Sequence, residues 1–289
     1  MSAAPSVAHA IAATLDAAGH SRTPWRCVAA DLPELAPGSV GGWHVAVHSL
    51  THAATPQLVI GVIADAGGAD PKTLAALGRM RAKLDAAQVE LVLVLGGMAT
   101  TEPELEATLG VLAKPTSPVI ALPGDLEAVG AETAAIAALT AKGNPVIDGR
   151  LVRWIELPEV TIGTVAGTGS VLRLAAGGEG CAWHAEDVVE LYQELAARPG
   201  LRIAALAEAP REGSSGELDL AAPAIDLVLH GPTQPAPSAA QAGGRDGAHV
   251  GLSPGTAGAT PRLPETRPPA AGLLTLRGTA WSWKPLLDK

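Results

Sequence analysis

The chain of 289 residues contains no phenylalanine and only one tyrosine. Six tryptophans are the remaining aromatic side chains, so the core must be built from leucine, valine, isoleucine and alanine. Hydrophobic residues make up 47% of the sequence, which is typical of a globular protein rather than a disordered or fibrous one. The length suits a single large α/β domain with a substantial core.

Basic residues are also scarce, and acidic residues outnumber them by 29 to 20. No cluster of lysine and arginine is interleaved with aromatic residues, which argues against nucleic acid as a partner. The two cysteines, Cys27 and Cys181, lack metal-binding spacing and favour free thiols in a reducing compartment, with a disulfide as the minor alternative. No apolar run approaches the roughly 20 residues of a membrane span, and no basic residue precedes Arg22 as in a signal peptide. We therefore expect a cytoplasmic protein without a membrane span.

The apolar pattern divides the chain into two parts. Residues 1–57 predict an N-terminal extension, with an amphipathic helix over 5–18 and a hairpin over 25–52. Residues 58–289 form the main domain, in which continuous runs of valine, leucine and isoleucine alternate with amphipathic helices. Such runs are typical of strands buried on both faces of a mostly parallel sheet. Within this domain, residues 235–270 are rich in proline, alanine and glycine and predict a long loop, and the last segment predicts a closing hairpin that turns at Arg277 and Gly278.

Five of the strand-like runs end in short turns that contain glycine or acidic residues. The turns are Asp65–Gly68 after LVIGVIA, Gly96–Gly97 after LVLVL, Gly124–Glu127 after PVIALP, Glu208–Pro210 after LRIAALA, and Gly231–Gln234 after DLVLH. Ligands of open α/β sheets bind at the carboxyl ends of the strands, where all five turns are placed. These turns are therefore the candidate functional site.

The order of the turns resembles the calcineurin-like metallophosphoesterase family, whose motifs are D-x-H, G-D, G-N-H-[DE], H and G-H-x-H. The stretch DGRLVRWIELPEVTIGTVAG resembles the pair of hairpins that follows the third motif, and SPGT at 253–256 resembles the turn after the last motif. The resemblance implies an α/β fold, a metallophosphoesterase-like sandwich of mixed sheets flanked by helices. It also implies a site for two metal ions about 3.5–4 Å apart, which activate water and neutralise the phosphoryl charge.

The first two motifs have lost ligands. Asp65 matches the first aspartate of the family, but the histidine two places later is replaced by Gly67. The bridging aspartate falls on Gly97, which removes one ligand from both metals at once.

The other motifs are equally altered. Asp125 stands at the asparagine position, Leu126 replaces the histidine that acts on the leaving group, and Glu127 keeps the acidic position. Glu208 falls near the isolated histidine, and the last motif lacks both histidines, with His230 one residue too early. The residues at the motif positions thus offer mainly carboxylate oxygens, which suit at most a weak site for one hard cation.

The resemblance and the missing ligands together predict a catalytically inactive protein without catalytic residues, cofactor or native metal pair. Asp65, Asp125, Glu127 and Glu208 are the residual candidates for a weak cation site. Each also has a structural interpretation: Asp65 as a turn cap, Asp125 and Glu127 at a helix N-terminus, and Glu208 in solvent. The expected role is that of a binding or scaffold subunit of a larger assembly with a protein partner.

Two alternatives stay open. The first is an active metal-dependent phosphoesterase in which the four acidic residues hold Mg or Mn. The second is a metal-free sensor that binds phosphate or a nucleotide at the five turns.

Overall fold

The computed structural model describes residues 14–15, 21–27, 34–53, 55–169, 174, 179–208, 225–231, 241–246, 249–254, 257 and 270–288. Most of the helix predicted over 5–18 lies outside these ranges, as does the turn at 232–234. Residues 14 and 15 are described, and they form a short strand rather than part of a helix.

The described residues form eighteen strands and four α-helices. The strands are Thr14–Leu15 (β1), Ser21–Arg26 (β2), Leu35–Val40 (β3), Trp43–Val47 (β4), Ser49–His52 (β5), Leu58–Ile63 (β6), Leu91–Leu95 (β7), Val119–Leu122 (β8), Val146–Asp148 (β9), Trp154–Leu157 (β10), Val160–Val165 (β11), Glu179–Ala182 (β12), Leu201–Leu206 (β13), Leu227–His230 (β14), Gln241–Asp246 (β15), His249–Ser253 (β16), Ala270–Arg277 (β17) and Ala280–Leu287 (β18). The helices are Pro71–Ala86 (α1), Glu102–Leu112 (α2), Val129–Ala141 (α3) and Ala185–Ala196 (α4). None of these helices combines the length and the apolar character that crossing a bilayer requires, and this statement covers the described ranges only.

The first main sheet has six strands in the order β18-β17-β6-β7-β8-β9. Strands β6 to β9 run parallel to one another, as the alternation of apolar runs and helices predicts. Strand β17 pairs antiparallel with β6 and forms the closing hairpin with β18, which confirms the hairpin predicted at the end of the chain.

The second main sheet has nine strands in the order β15-β16-β14-β13-β11-β10-β5-β4-β3. The predicted hairpin of the N-terminal part appears as β3 and β4, and β5 continues it and pairs parallel with β10. The predicted boundary at residue 57 therefore does not interrupt this sheet. At the other edge, β15 and β16 lie inside the segment 235–270, where we expected one long loop, and β16 pairs with β14.

The two main sheets enclose the central core, and helices cover their outer faces. Along β6, Leu58, Ile60 and Val62 belong to the core between the sheets, whereas Val59 and Ile63 pack with the side chains of α1, α2 and α3. Helix α4 covers the nine-stranded sheet through a separate apolar cluster. Because both faces of such strands are buried, their sequences are continuous apolar runs. The α/β sandwich of mixed sheets flanked by helices is thus confirmed.

A third, small sheet of order β1-β2-β12 brings together the only two cysteines of the chain, since Cys27 directly follows β2 and Cys181 lies in β12. Cys27 and Cys181 form a disulfide, with their Cα atoms 5.5 Å apart. The expectation of free thiols was therefore wrong, because the fold joins two residues that are 154 positions apart in sequence. Disulfides persist mainly in oxidising compartments, so this disulfide argues against a cytoplasmic location. The cytoplasmic location stays a prediction.

Candidate functional site

The turns after β7, β13 and β14 converge where the carboxyl ends of the two main sheets meet. A Cβ atom added at Gly231, which follows β14, would lie 2.7 Å from the carbonyl oxygen of Leu95 and 2.1 Å from that of Ala207. A Cβ atom added at Gly96 would lie 3.5 Å from the Cβ atom of Ala207. The sequence prediction that these turns share one location is therefore correct for the part of the chain that the structure describes.

The turn after β7 is packed directly against the turn after β6. The Asp65 N–H donates to the Gly96 carbonyl at 2.8 Å, and the Gly67 N–H donates to the Gly97 carbonyl at 2.8 Å. Gly97 has a left-handed backbone with φ of 74°, and a Cβ atom added there would lie 2.8 Å from the Cα atom of Asp65. This backbone accepts only glycine at position 97, because a side chain would collide with main-chain atoms.

The turn after β8 closes on the same glycines from the other side. A Cβ atom added at Gly96 would lie 2.7 Å from the Cα atom of Gly124, and Gly96 also has a positive φ of 70°. The turns after β6, β7 and β8 thus meet backbone to backbone. Little space is left between them for the side chains that a metal centre needs.

Glu127 ties the turns after β7 and β8 together. Its side chain is buried, and its carboxylate accepts hydrogen bonds from the backbone N–H groups of Gly97 (3.2 Å), Met98 (2.5 Å) and Gly124 (2.8 Å). Burial raises the pKa of Glu127, the backbone hydrogen bonds oppose this effect, and the charge of Asp125 adds to the increase. Hydrogen bonds between buried amides and a carboxylate are stronger than those between neutral groups. Glu127 is therefore a cross-link between turns.

Asp125 and Glu127 lie just before α3, and their electrostatic role at its N-terminus stays a prediction. Helix α3 has Ala128 at its N-cap position, and no side chain caps this end of the helix. Asp125 and Leu126 are partly exposed on the loop that precedes the helix.

Asp65 lies at the end of β6 with a left-handed backbone, φ of 54°, which residues other than glycine seldom adopt. Its side chain is partly exposed, and its Oδ1 atom would lie 3.1 Å from a Cβ atom at Gly97. Asp65 therefore sits directly beside the position of the missing bridging ligand. Whether it acts as a turn cap or as a residual cation ligand stays a prediction.

Glu208, at the end of β13, was expected in solvent but is buried with 8% exposure. Its Oε2 atom accepts hydrogen bonds from the Thr168 hydroxyl and from the Gly169 N–H at 3.1 Å. Glu208 thus fastens the turn after β11. His230 is partly exposed, and its Nδ1 atom lies 2.7 Å from the carbonyl oxygen of Gly231.

Solved structures resemble this arrangement, although comparison with known protein families and with curated proteins gives no match. A crystal structure of the protein TT1561 from Thermus thermophilus matches with a TM-score of 0.50 and 14% identity, over 78% of this chain and 98% of that chain. A dimetal phosphatase from Danio rerio matches with a TM-score of 0.52 and 9% identity, over 81% of this chain and 100% of that chain. The chain has the metallophosphoesterase fold. At these identities the likeness concerns the fold and not the chemistry.

The residues at the carboxyl ends do not fit the metal pair that the metallophosphoesterase fold implies. A dinuclear site needs a bridging ligand, and the backbone at Gly97 has no room for a side chain. Glu127 and Glu208 direct their carboxylates to backbone N–H groups of different turns rather than to a common point. Within the described ranges, no group of three or more His, Cys, Asp or Glu residues is placed to hold a metal ion. We therefore derive no catalytic step through a metal.

We use the term metallophosphoesterase-like cleft for the place where the turns after β6, β7, β8, β13 and β14 meet. A buried ionic cluster beside this cleft was missed by the sequence analysis. Arg150 donates from Nε to Asp148 at 2.9 Å and from Nη2 to Asp148 and to the Thr133 hydroxyl. The Glu132 carboxylate lies 3.7 Å from Arg150 Nε, is 1% exposed, and has an Oε2 atom without a hydrogen-bond partner. Burial raises the pKa of Glu132 well above its ordinary value; Arg150 opposes this, whereas the charges of Asp148 and Glu127 add to it.

The sequence did hold a signal for the position of Glu132. In α3, Glu132 precedes Ile136 and Leu139 at helical spacing, and both of these residues face the core. A carboxylate on the apolar face of a helix is expected to be buried.

Proposed function

We propose that this chain is a catalytically inactive metallophosphoesterase-like protein that works by binding, as a scaffold or subunit of a larger assembly. The observation that carries the proposal is the backbone contact at Gly97. A bridging aspartate cannot be placed there without moving the turn after β6, because its Cβ atom would lie 2.8 Å from the Asp65 Cα atom.

The arrangement of Glu127 supports the same conclusion. A cation beside this carboxylate would have to compete with three backbone N–H donors. Each hydrogen bond to a charged group contributes about 1.5–3 kcal/mol, and each donor left behind in the interior would carry its own penalty. The carboxylate therefore stabilises a closed cleft more readily than it would hold a metal.

The same geometry argues against the phosphate or nucleotide sensor. Backbone N–H groups at glycine-rich turns are the usual donors to phosphate. Here the N–H groups of Gly97, Met98 and Gly124 already donate to Glu127. An anion entering the cleft would first have to displace this internal carboxylate.

A fold can persist after its catalytic residues are lost, so a protein with this fold can act by binding alone. The segments 1–57 and 235–270 are our candidates for partner contacts. Among the residues whose side-chain burial is described, Val47 is the only large apolar side chain that is exposed, at 50%. We therefore expect the partner to meet a mainly polar surface or one of these two segments.

The test combines metal analysis with an activity assay. Protein purified without chelator is analysed by mass spectrometry of its metals, and hydrolysis of bis-p-nitrophenyl phosphate and p-nitrophenyl phosphate is measured with added Mg or Mn. We expect no stoichiometric metal and no turnover above that of the Asp65→Ala variant.

The alternatives give different results in the same experiment. Bound Mg or Mn together with turnover that is lost in Asp65→Ala and kept in the control Glu102→Ala, a change of an exposed residue in α2, would establish an active enzyme. A rise in melting temperature with inorganic phosphate or AMP in the absence of metal would favour the sensor. Cross-linking mass spectrometry of the purified assembly would then locate the contact segment.

A further inference from the structure

Among the described residues, the N-terminal ribbon, which we define as β1, β2 and Cys27, pairs with the rest of the chain only through β12. Strand β1 pairs with β2 at two positions, and β2 pairs with β12 at four positions. One of those four positions is Pro24, which has no N–H to donate to a neighbouring strand. Isolated pairings of this length have marginal stability in water.

A disulfide links the ribbon covalently to β12. Cys27 is 6% exposed and Cys181 is fully buried, and both pack in the central core with Val152 and Ala166. They are the only cysteines of the chain, so neither can pair with another cysteine of the same molecule. Any intramolecular disulfide of this chain therefore joins the ribbon to β12.

The partner strand of the ribbon borders the metallophosphoesterase-like cleft. Gly180 of β12 forms a β-bridge with Ala128, the residue that follows Glu127. The Gly167 N–H donates to the carbonyl of Pro123 at 2.7 Å, and the Trp183 indole N–H donates to the carbonyl of Gly167 at 3.1 Å. The small sheet thus lies against the turn after β8, which forms one wall of the cleft.

We propose that the Cys27–Cys181 disulfide is a redox-dependent anchor, which docks the N-terminal ribbon on β12 and releases it on reduction while the two main sheets stay folded. The reductant is a dithiol, which supplies two electrons and two protons. The S–S bond breaks, two cysteine thiols form, and the reductant closes its own disulfide. Release exposes the edge of β12 beside the turn after β8. This inference concerns the ribbon and does not depend on whether the cleft is active.

Hydrogen–deuterium exchange on the full chain tests the anchor. The protein is purified without reductant, and its thiols are counted in denaturant before and after treatment with dithiothreitol. We expect no thiol before treatment and two after it. Reduction should then accelerate amide exchange in residues 21–27 and 179–182 at least tenfold, while the exchange of β6 is unchanged. The variants Cys27→Ser and Cys181→Ser should exchange like the reduced protein, with or without dithiothreitol.

Three outcomes would overturn the proposal. The first is two free thiols in protein purified without reductant. The second is protection of residues 21–27 that is the same before and after reduction, with the thiol count confirming that reduction was complete. The third is a loss of protection in β6 together with the ribbon, because the disulfide would then hold the whole fold rather than the ribbon.

Discussion

Replacing Glu127 by alanine tests whether this carboxylate closes the cleft. The change leaves the buried N–H groups of Gly97, Met98 and Gly124 without their acceptor. One unsatisfied buried donor costs about 1–3 kcal/mol, so three donors set an upper limit of about 9 kcal/mol. The variant also removes the cost of burying a carboxylate, and water can enter the space that is left. We therefore expect the free energy of unfolding to fall by about 3–5 kcal/mol.

The matched variant Glu127→Gln separates charge from size. Its amide oxygen can still accept one or two of the hydrogen bonds, but its NH₂ group faces a donor. We expect the free energy of unfolding to fall by about 2–3 kcal/mol. Glu127→Gln should thus be less stable than the wild type and more stable than Glu127→Ala. The control Glu102→Ala changes an exposed residue and should stay within about 0.5 kcal/mol of the wild type.

Urea denaturation at pH 7 gives these free energies, and hydrogen exchange locates the effect. Exchange of the amides of Gly97, Met98 and Gly124 should accelerate in Glu127→Ala well beyond the change in global stability. An alanine variant as stable as the wild type, with these amides still protected, would refute the role of Glu127 as a cross-link.

Further predictions concern the backbone of the cleft and the buried acid next to it. Gly97→Ala should lower the free energy of unfolding by about 2–4 kcal/mol, because it adds left-handed strain to a collision with Asp65. Gly97→Asp should also lower the free energy of unfolding, and calorimetric titration should detect no Mn binding. Binding of Mn at one or two ions per chain would contradict our account. The control Gly78→Ala, in α1 with open space around the added Cβ, should raise stability by up to about 1 kcal/mol in the same denaturation assay. For Glu132, the folded-state pKa is raised, so its contribution is fully present below the unfolded pKa near 4.3 and is lost as pH rises through the folded pKa. Urea unfolding from pH 5 to pH 8 should therefore show stability falling less steeply in Glu132→Gln than in the wild type, and parallel curves would contradict the buried, proton-binding carboxyl.

Hydrophobic patterning predicted the frame of this protein because burial on both faces of a strand imposes a local pattern. The runs LVIGVIA and LVLVL became β6 and β7 in the six-stranded sheet, and the final segment became the hairpin of β17 and β18. The order of the turns was enough to predict the metallophosphoesterase-like sandwich and the meeting of several turns at the carboxyl ends.

Local patterns were less informative for segments whose structure depends on distant partners. The hairpin of β3 and β4 was predicted, but its union with the main sheet depends on β5 pairing with β10, about a hundred residues away. The strands β15 and β16 were missed because their sequence is poor in large apolar side chains, and β16 is paired with β14.

The sequence by itself determined which motif positions lack metal ligands, since that depends only on residue identity. Tertiary structure alone decided what the remaining groups do: Glu127 binds amides thirty residues away, and Cys27 reaches Cys181 across 154 positions. These contacts depend on which strands pair within a sheet: β7 pairs with β8 in the six-stranded sheet, and β2 pairs with β12 in the small sheet. No periodicity along the chain encodes them, because their partners are backbone groups and side chains brought together only after the strands have paired.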